Sequence, residues 1–216
     1  MRFKYIIILA IILSIMLFSS CVKDDYKNND VNENAKPVIY LYPEQECKVE
    51  VVLDYDGELT CTYPESDGAW EVLARPDGTL INLEDNKEYS YLFWEGIIDT
   101  QYDFSEGFVI KGEDTKDFLQ EKLSYIGLTP REYNEFIVFW LPKMKDNKYN
   151  IISFQDDIYT NSAKLTITPE PDSLLRVFMA YKPLDNPTQV KEQKLEPFNR
   201  NGFTVIEWGG SEIKHK

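Results

Sequence analysis

Residues 114–144, DTKDFLQEKLSYIGLTPREYNEFIVFWLPKM, carry the pattern that decides the fold class. Their apolar side chains recur every three or four positions in two runs, which is typical of helices that bury one face. Asp114 or Thr115 begins the first predicted helix, and Gly127 ends it. The tetrapeptide at residues 129–132, TPRE, is a capping box with proline at the first helical position, so a second helix begins there. The short link between them predicts a helical hairpin lying on a sheet, with Pro142 kinking or ending the second helix.

Strand-like sequences flank this helical stretch on both sides. Before it lie the runs 38–42, 48–55, 58–63, 70–74, 79–83, 89–94 and 108–111, and after it lie 149–154, 163–168, 174–181 and 203–208. The order predicts one α+β domain over residues 37–216, namely a β-rich antiparallel sheet or sandwich with an inserted two-helix hairpin. Prolines among the later strands indicate sheet edges and turns rather than central strands.

The dipeptide Asp56-Gly57 is a strong hairpin signal, and it predicts that residues 48–55 pair with residues 58–63. That register places Val51 beside Cys61. Cys47 then lies four residues along the strand, roughly 13 Å away, whereas a disulfide needs Cα atoms within about 7 Å. We therefore predict two free thiols.

The N-terminus has the features of an export signal. Arg2 and Lys4 precede an apolar run over residues 6–18, which is too short to span a bilayer and matches the apolar region of a signal peptide. The following LFSSC, which ends at Cys21, resembles a bacterial lipoprotein box. We expect residues 1–20 to be a lipoprotein signal peptide, Cys21 to carry acyl chains, and the polar residues 21–36 to form a flexible tether. The alternative is an uncleaved anchor helix with an incidental cysteine.

These signals predict a lipid-anchored, extracytoplasmic protein of the cell envelope that is attached to the membrane through lipidated Cys21. The residues after that cysteine, VKDD, resemble the signal by which some Gram-negative lipoproteins reach the outer face of the outer membrane. Surface exposure is the corresponding expectation. The alternative is that these charges only keep the tether soluble.

Composition excludes several classes of function. With 23 basic and 37 acidic residues, the formal net charge is −14, which argues against binding to nucleic acid. His215 is the only histidine in the sequence, so Ser-His-Asp, Cys-His and multi-histidine metal sites are disfavoured. No motif indicates a metal or another cofactor.

Two tetrapeptides, FWEG at 93–96 and EWGG at 207–210, each place an acid beside a tryptophan. Two carboxylates are sufficient for glycoside hydrolysis, and aromatic residues at 14% suit stacking on sugars or a protein contact. Strand alternation and the usual burial of tryptophan favour a core role instead. The candidate ligand-binding residues are Trp94, Glu95, Trp140, Glu207 and Trp208.

Five blocks resemble an uncharacterised bacterial protein family. They are KPVIYLYP at 36–43, YLFWEG at 91–96, NEFIVFWLP at 134–142, RVFM at 176–179 and EWGG at 207–210. The resemblance implies that residues 37–210 fold as one unit, and it implies no activity.

Three functions remain open on the sequence. The leading hypothesis is a membrane-anchored lipoprotein that binds a surface polysaccharide or protein. The alternative is a hydrolase of cell-surface carbohydrate that uses Glu95 and Glu207, and the third is a structural or assembly component. The sequence leaves open whether the protein is an enzyme.

Overall fold

The computed structural model describes residues 32–213 and contains the predicted helical hairpin. Helix α1 covers Thr115–Ile126 after a short 3₁₀ turn at Gly112–Asp114, and helix α2 covers Pro130–Met144. Gly127 ends α1 with a φ of 120°, which only glycine adopts readily. The backbone N–H of Thr129 donates to the Glu132 carboxylate at 2.8 Å, as the predicted capping box requires.

Pro142 does not end α2. The helix continues to Met144, although proline has no N–H to donate to the carbonyl of Val138. Val138 is 74% exposed, so water can bind the carbonyl that the proline leaves without a donor.

Within residues 32–213, the strands form two sheets. The larger sheet contains, in spatial order, β12 (Lys191–Glu192), β8 (Glu106–Lys111), β9 (Tyr149–Gln155), β11 (Ser173–Leu184), β13 (Thr204–Glu212), β1 (Asn32–Tyr42), β7 (Leu92–Ile98) and β3 (Glu58–Tyr63). The smaller sheet contains β10 (Ala163–Thr168), β2 (Cys47–Tyr55), β4 (Ala69–Ala74), β5 (Leu80–Asn82) and β6 (Glu88–Tyr89). The α+β class with a helical insertion is therefore confirmed.

The larger sheet is mixed. Strands β11 and β13 run parallel, as do β12 and β8, and the other pairs in both sheets are antiparallel. The prediction of edge positions for the proline-flanked later strands was wrong for β11 and β13. These two strands lie at the centre of the larger sheet, because the prolines that flank them fall near or beyond the strand ends.

The predicted hairpin pairing around Asp56-Gly57 was also wrong. Strand β2 pairs with β10 and β4 in the smaller sheet, whereas β3 pairs with β7 in the larger sheet. The turn therefore carries the chain from one sheet to the other. Cys47 and Cys61 are free, as predicted, but the reason is that their strands belong to different sheets and not the expected register.

The elements form three layers, with the larger sheet between the smaller sheet and the helices. One core contains Ile39 and Leu41 of β1 together with side chains of the smaller sheet. The other contains Val38 and Tyr40 of the same strand together with side chains of α1 and α2. Because successive residues of a strand point to opposite faces, β1 contributes to both cores. A short helix, α3 (Asp157–Ser162), adds Tyr159 to the first core.

Two expectations concern the N-terminal region. The predicted tether over residues 21–36 was wrong for its last five residues, because β1 begins at Asn32 and pairs there with Ile98. The predicted signal peptide, Cys21 and the rest of the tether lie outside the described residues.

Candidate functional site

Strand β1 departs from regular pairing at one place, next to both of its neighbours. The register with β13 and with β7 shifts between residues 34–35 and Val38. Lys36 adopts a φ of 52°, in the left-handed region that few residues other than glycine occupy. Bulges of this kind redirect side chains, and they are frequent beside functional sites.

Gly209 on β13 provides space for the bulge. A Cβ atom on Gly209 would lie 2.9 to 3.1 Å from the Cγ, Cα and N atoms of Pro37. The first of these distances is shorter than real Cβ contacts and the other two are tighter than most, and two of the three crowding atoms belong to the backbone. A side chain at residue 209 would therefore crowd Pro37 at this point.

The bulge directs the Lys36 side chain toward three aromatic rings. Its ammonium nitrogen lies 6.0 Å from the ring centre of Tyr91, 5.5 Å from that of Phe139 and 5.7 Å from that of Trp208. Its backbone N–H donates to Oε1 of Glu95 at 3.2 Å. Cation–π attraction and one hydrogen bond thus hold this residue in place.

A second lysine, Lys143 on α2, approaches the ring of Phe139. The ammonium nitrogen of Lys143 lies 4.9 Å from the ring centre of Phe139. Within residues 32–213, neither lysine has a carboxylate oxygen within 4.0 Å of its ammonium nitrogen. We call the group formed by Lys36, Tyr91, Glu95, Phe139 and Lys143 the bulge site.

Glu95 gives the bulge site a carboxyl group whose pKa is raised. Burial raises its pKa, and the nearby charge of Glu33 adds to this effect. The hydrogen bond from the Lys36 backbone and the charges of Lys143 and Lys36 act in the opposite direction without cancelling it. The site therefore combines half-buried rings, two ammonium groups and a carboxylate, which are groups that can bind a polar ligand.

A buried ion pair lies on the opposite face of the larger sheet. Nε of Arg176 donates to Oε2 of Glu207 at 2.6 Å, and Nε1 of Trp94 donates to Oε1 of the same carboxylate at 3.2 Å. Glu207 is fully buried, and the guanidinium carbon lies 4.8 Å from the ring centre of Tyr159. Burial and the charge of Glu207 raise the pKa of Tyr159 well above its usual range. This pair is enclosed between the two sheets and joins the neighbouring strands β11 and β13 of the larger sheet.

The predicted candidate residues do not form one site. Trp94, Trp140 and Trp208 are at most 1% exposed and belong to the two cores, as the core interpretation of the sequence predicted. Glu95 faces the helical layer beside Lys36, whereas Glu207 faces the smaller sheet. The two carboxylates are thus separated by the larger sheet.

Sequence reasoning missed the role of Lys36, Tyr91, Phe139 and Lys143. The signal that could have identified these residues was the set of blocks that resemble an uncharacterised bacterial family, because four of those blocks meet at the bulge. The blocks beginning at residues 36, 91, 134 and 207 supply respectively Lys36, Glu95, Phe139 and the Gly209 that accommodates Pro37.

A second feature lies on the outer surface of the helices. It is an open groove of about 580 Å³ in which two tyrosines lie among acidic and polar side chains. Tyr125 is 53% exposed there. The lining residues are Asp117, Gln120, Glu121, Ser124, Tyr125 and Tyr133.

Two further findings concern residues 32–213. No helix among them is long and apolar enough to cross a membrane. No group of three or more histidine, cysteine, aspartate or glutamate side chains in this range is arranged to hold a metal ion.

Comparison with known proteins identifies a bacterial relative. The chain is 36% identical over 92 residues to an uncharacterized protein in the bglA 3′ region of Butyrivibrio fibrisolvens. The matched part covers 41% of this chain and 94% of the relative. No protein-family model matches the chain, and no solved structure matches it.

Proposed function

The chain belongs to the family of the uncharacterized protein in the bglA 3′ region of Butyrivibrio fibrisolvens, and we propose that it is a lipid-anchored cell-envelope protein that binds a surface polysaccharide. The proposal has two parts, an anchor at Cys21 and a ligand site at the bulge. Each part is supported by different residues, and each has its own test.

The anchor is supported by the sequence before the first strand. The basic start, the apolar run and the LFSSC box are the features that a lipoprotein signal requires. Since β1 begins at Asn32, ten residues separate it from Cys21. At roughly 3.5 Å per residue, they let the first strand extend at most about 40 Å from the lipidated cysteine. The VKDD sequence extends the proposal to the outer face of the outer membrane.

The bulge site is the observation that carries the binding proposal. Tyr91 and Phe139 are half-buried, so part of each ring faces solvent beside two lysines and Glu95. Ring faces pack against the apolar faces of sugars, while ammonium and carboxylate groups form hydrogen bonds with hydroxyl groups. The buried tryptophans take no direct part, because they are core residues.

The anchor is tested by replacing Cys21 with serine. We expect the native protein to incorporate labelled fatty acid and to fractionate with membranes, and C21S to lose the label. C21S enters the soluble fraction only if it is cleaved at another site, so its fractionation is not decisive. The decisive measurement is whether C21S still incorporates the labelled fatty acid. A labelled C21S protein would contradict the lipid anchor.

The ligand site is tested by affinity electrophoresis of the full chain through a panel of neutral and acidic polysaccharides. F139L removes a ring from the bulge site but keeps an apolar side chain, and we expect at least a tenfold loss of affinity. Y125L makes the same change in the helical groove and serves as the matched control. If Y125L loses affinity and F139L does not, the helical groove is the site. If no polysaccharide retards the protein, binding of polysaccharide is excluded.

The alternative hydrolase gains no support from its two suspected carboxylates, because Glu95 and Glu207 lie on opposite faces of the larger sheet. A protein ligand or an assembly role predicts a stable partner on cross-linking of intact cells. Such a partner, together with failure of the polysaccharide panel, would replace the proposal made here.

A further inference from the structure

We propose that the bulge site selects acidic over neutral polysaccharides, because Lys36 and Lys143 together bind the anionic groups of the polymer. This inference rests on the proposed function. It specifies the chemistry of the ligand and names the two side chains that distinguish an acidic polymer from a neutral one.

Lys36 and Lys143 belong to the minority of lysines within residues 32–213 that form no ion pair there. Most lysines within the described residues lie within 4.0 Å of a carboxylate, as Lys48 does with Glu71 and Lys148 with Asp185. In contrast, both lysines of the bulge site contact the ring of Phe139 and no carboxylate in that part of the chain. Their N–H donors are therefore available to a ligand.

The two ammonium groups lie close enough to act together. They are 5.5 and 4.9 Å from the same ring centre, so neighbouring anionic groups on one polymer chain can reach both. An ammonium group that is partly shielded by aromatic rings also interacts more strongly with an anion than one surrounded by water.

Glu95 does not form an ion pair with either lysine of the bulge site. Its carboxylate accepts the backbone N–H of Lys36, and it lies more than 4.0 Å from both ammonium nitrogens. The acid thus helps to fix the bulge while the ammonium group of Lys36 points to the rings.

The net charge of −14 repels an acidic polymer at long range. At 0.15 M salt the screening length is about 8 Å, so most of that repulsion is suppressed while contacts at hydrogen-bond distance remain. Selectivity should therefore be measured at or above this ionic strength.

The test compares an acidic polymer with its uncharged counterpart in each of two pairs, using the full chain at 0.15 M salt. Polygalacturonate is compared with its methyl ester, and dextran sulfate is compared with dextran. We expect at least tenfold tighter binding to the acidic member of one pair or of both. Preference within the first pair indicates carboxylate recognition, and preference within the second pair alone indicates sulfate recognition.

The lysines are tested with K36Q and K143Q, which keep a long polar side chain and remove the charge. Each should reduce the preference for the acidic polymer about fivefold. K164Q should have no effect, because it changes an exposed lysine on β10 that forms no ion pair with the residues that the structure describes. Thermal unfolding verifies that each variant is folded. K143Q alone keeps the test valid if K36Q disturbs the bulge.

The outcomes separate this inference from the proposed function. Equal binding to the charged and neutral members of both pairs overturns the acidic ligand but leaves polysaccharide binding in place. A preference for the acidic polymer that K143Q leaves unchanged overturns its recognition by the two lysines of the bulge site. Absence of binding to all four polymers and to the wider panel overturns both.

Discussion

The buried ion pair between Arg176 and Glu207 leads to a prediction about stability at the scale of single residues. Arg176→Met leaves the fully buried carboxylate without its cation, and breaking such a pair costs about 3–5 kcal/mol in the free energy of unfolding. Urea denaturation measures this loss. Lys48→Met breaks an exposed pair and should cost less than about 1 kcal/mol. Equal losses in the two variants would show that the Arg176 pair is effectively solvated.

The raised pKa of Glu95 predicts the direction in which the stability of the folded protein changes with pH. Its pKa is raised in the folded protein, so its contribution to stability is fully present below the pKa of the unfolded chain, about 4.3, and is lost as the pH rises through the folded value. The stability of the native protein relative to E95Q should therefore fall as the pH rises above about 4, and then become constant. Chemical denaturation at a series of pH values measures this difference.

Asp85 is the matched control with the opposite sign. The hydroxyl of Tyr89 and the backbone N–H of Lys87 lower its pKa, so its contribution is present above the unfolded pKa and is lost as the pH falls. Stability relative to D85N should thus decrease toward low pH. Slopes of the same sign for E95Q and D85N would contradict the assignment of the two environments.

The sequence predicted the contribution of individual site residues only in part. Strand alternation correctly raised the alternative that Trp94 is core while its neighbour Glu95 is not. The same rule did not predict that Glu207 and Trp208 are both buried, because β13 has covered faces on both sides. The role of Lys36 depends on a bulge, and a bulge depends on two neighbouring strands that a local pattern does not identify.

At the scale of elements, the helices were predictable and the strand partners were not. Capping residues and helical periodicity act within a few positions of the chain, so α1 and α2 begin where their local signals predict. A turn signal such as Asp56-Gly57 shows only that the chain changes direction. Burial of Val49, Val51 and Leu53 between the sheets determines the sheet to which β2 belongs, and these contacts are distant in sequence.

Pairing of β1 with β13 predicts a strong effect of Gly209→Ala. The added methyl group would overlap Pro37, and overpacking of this kind costs about 1–3 kcal/mol in the free energy of unfolding. The double variant P37A/G209A should recover part of that loss, because only the Cγ contact is removed while the backbone atoms remain at 3.0 and 3.1 Å. Chemical denaturation distinguishes the variants, and a neutral G209A would show that the bulge can move.

At the scale of the whole molecule, Arg200 connects the long β11–β13 connection to the helical layer. Its guanidinium donates to both carboxylate oxygens of the buried Glu132 and, at 3.0 Å, to the carbonyl of Gly127. Lysine cannot reproduce this geometry. The backbone N–H of Phe198 donates to the carbonyl of Ile126. R200K should therefore speed amide hydrogen exchange about tenfold at Phe198, with little change in the central strands.

The control for R200K is Arg75→Lys, because Arg75 pairs with Glu46 on the surface. Hydrogen exchange followed by NMR resolves the individual amides. If R200K accelerates exchange uniformly throughout the molecule, the connection is part of the global unfolding unit and is not held locally by Arg200.

The neighbouring positions of β1 and β13 have a consequence for the synthesis of the protein. The first and last strands of the described chain pair at the centre of the larger sheet, so this sheet cannot close until residues 204–212 have emerged. Pairing across so great a sequence separation also slows folding. The nascent polypeptide is thus expected to stay unfolded until β13 has been synthesised, which is the state that a secretion channel accepts, and deletion of residues 204–212 should abolish the fold altogether.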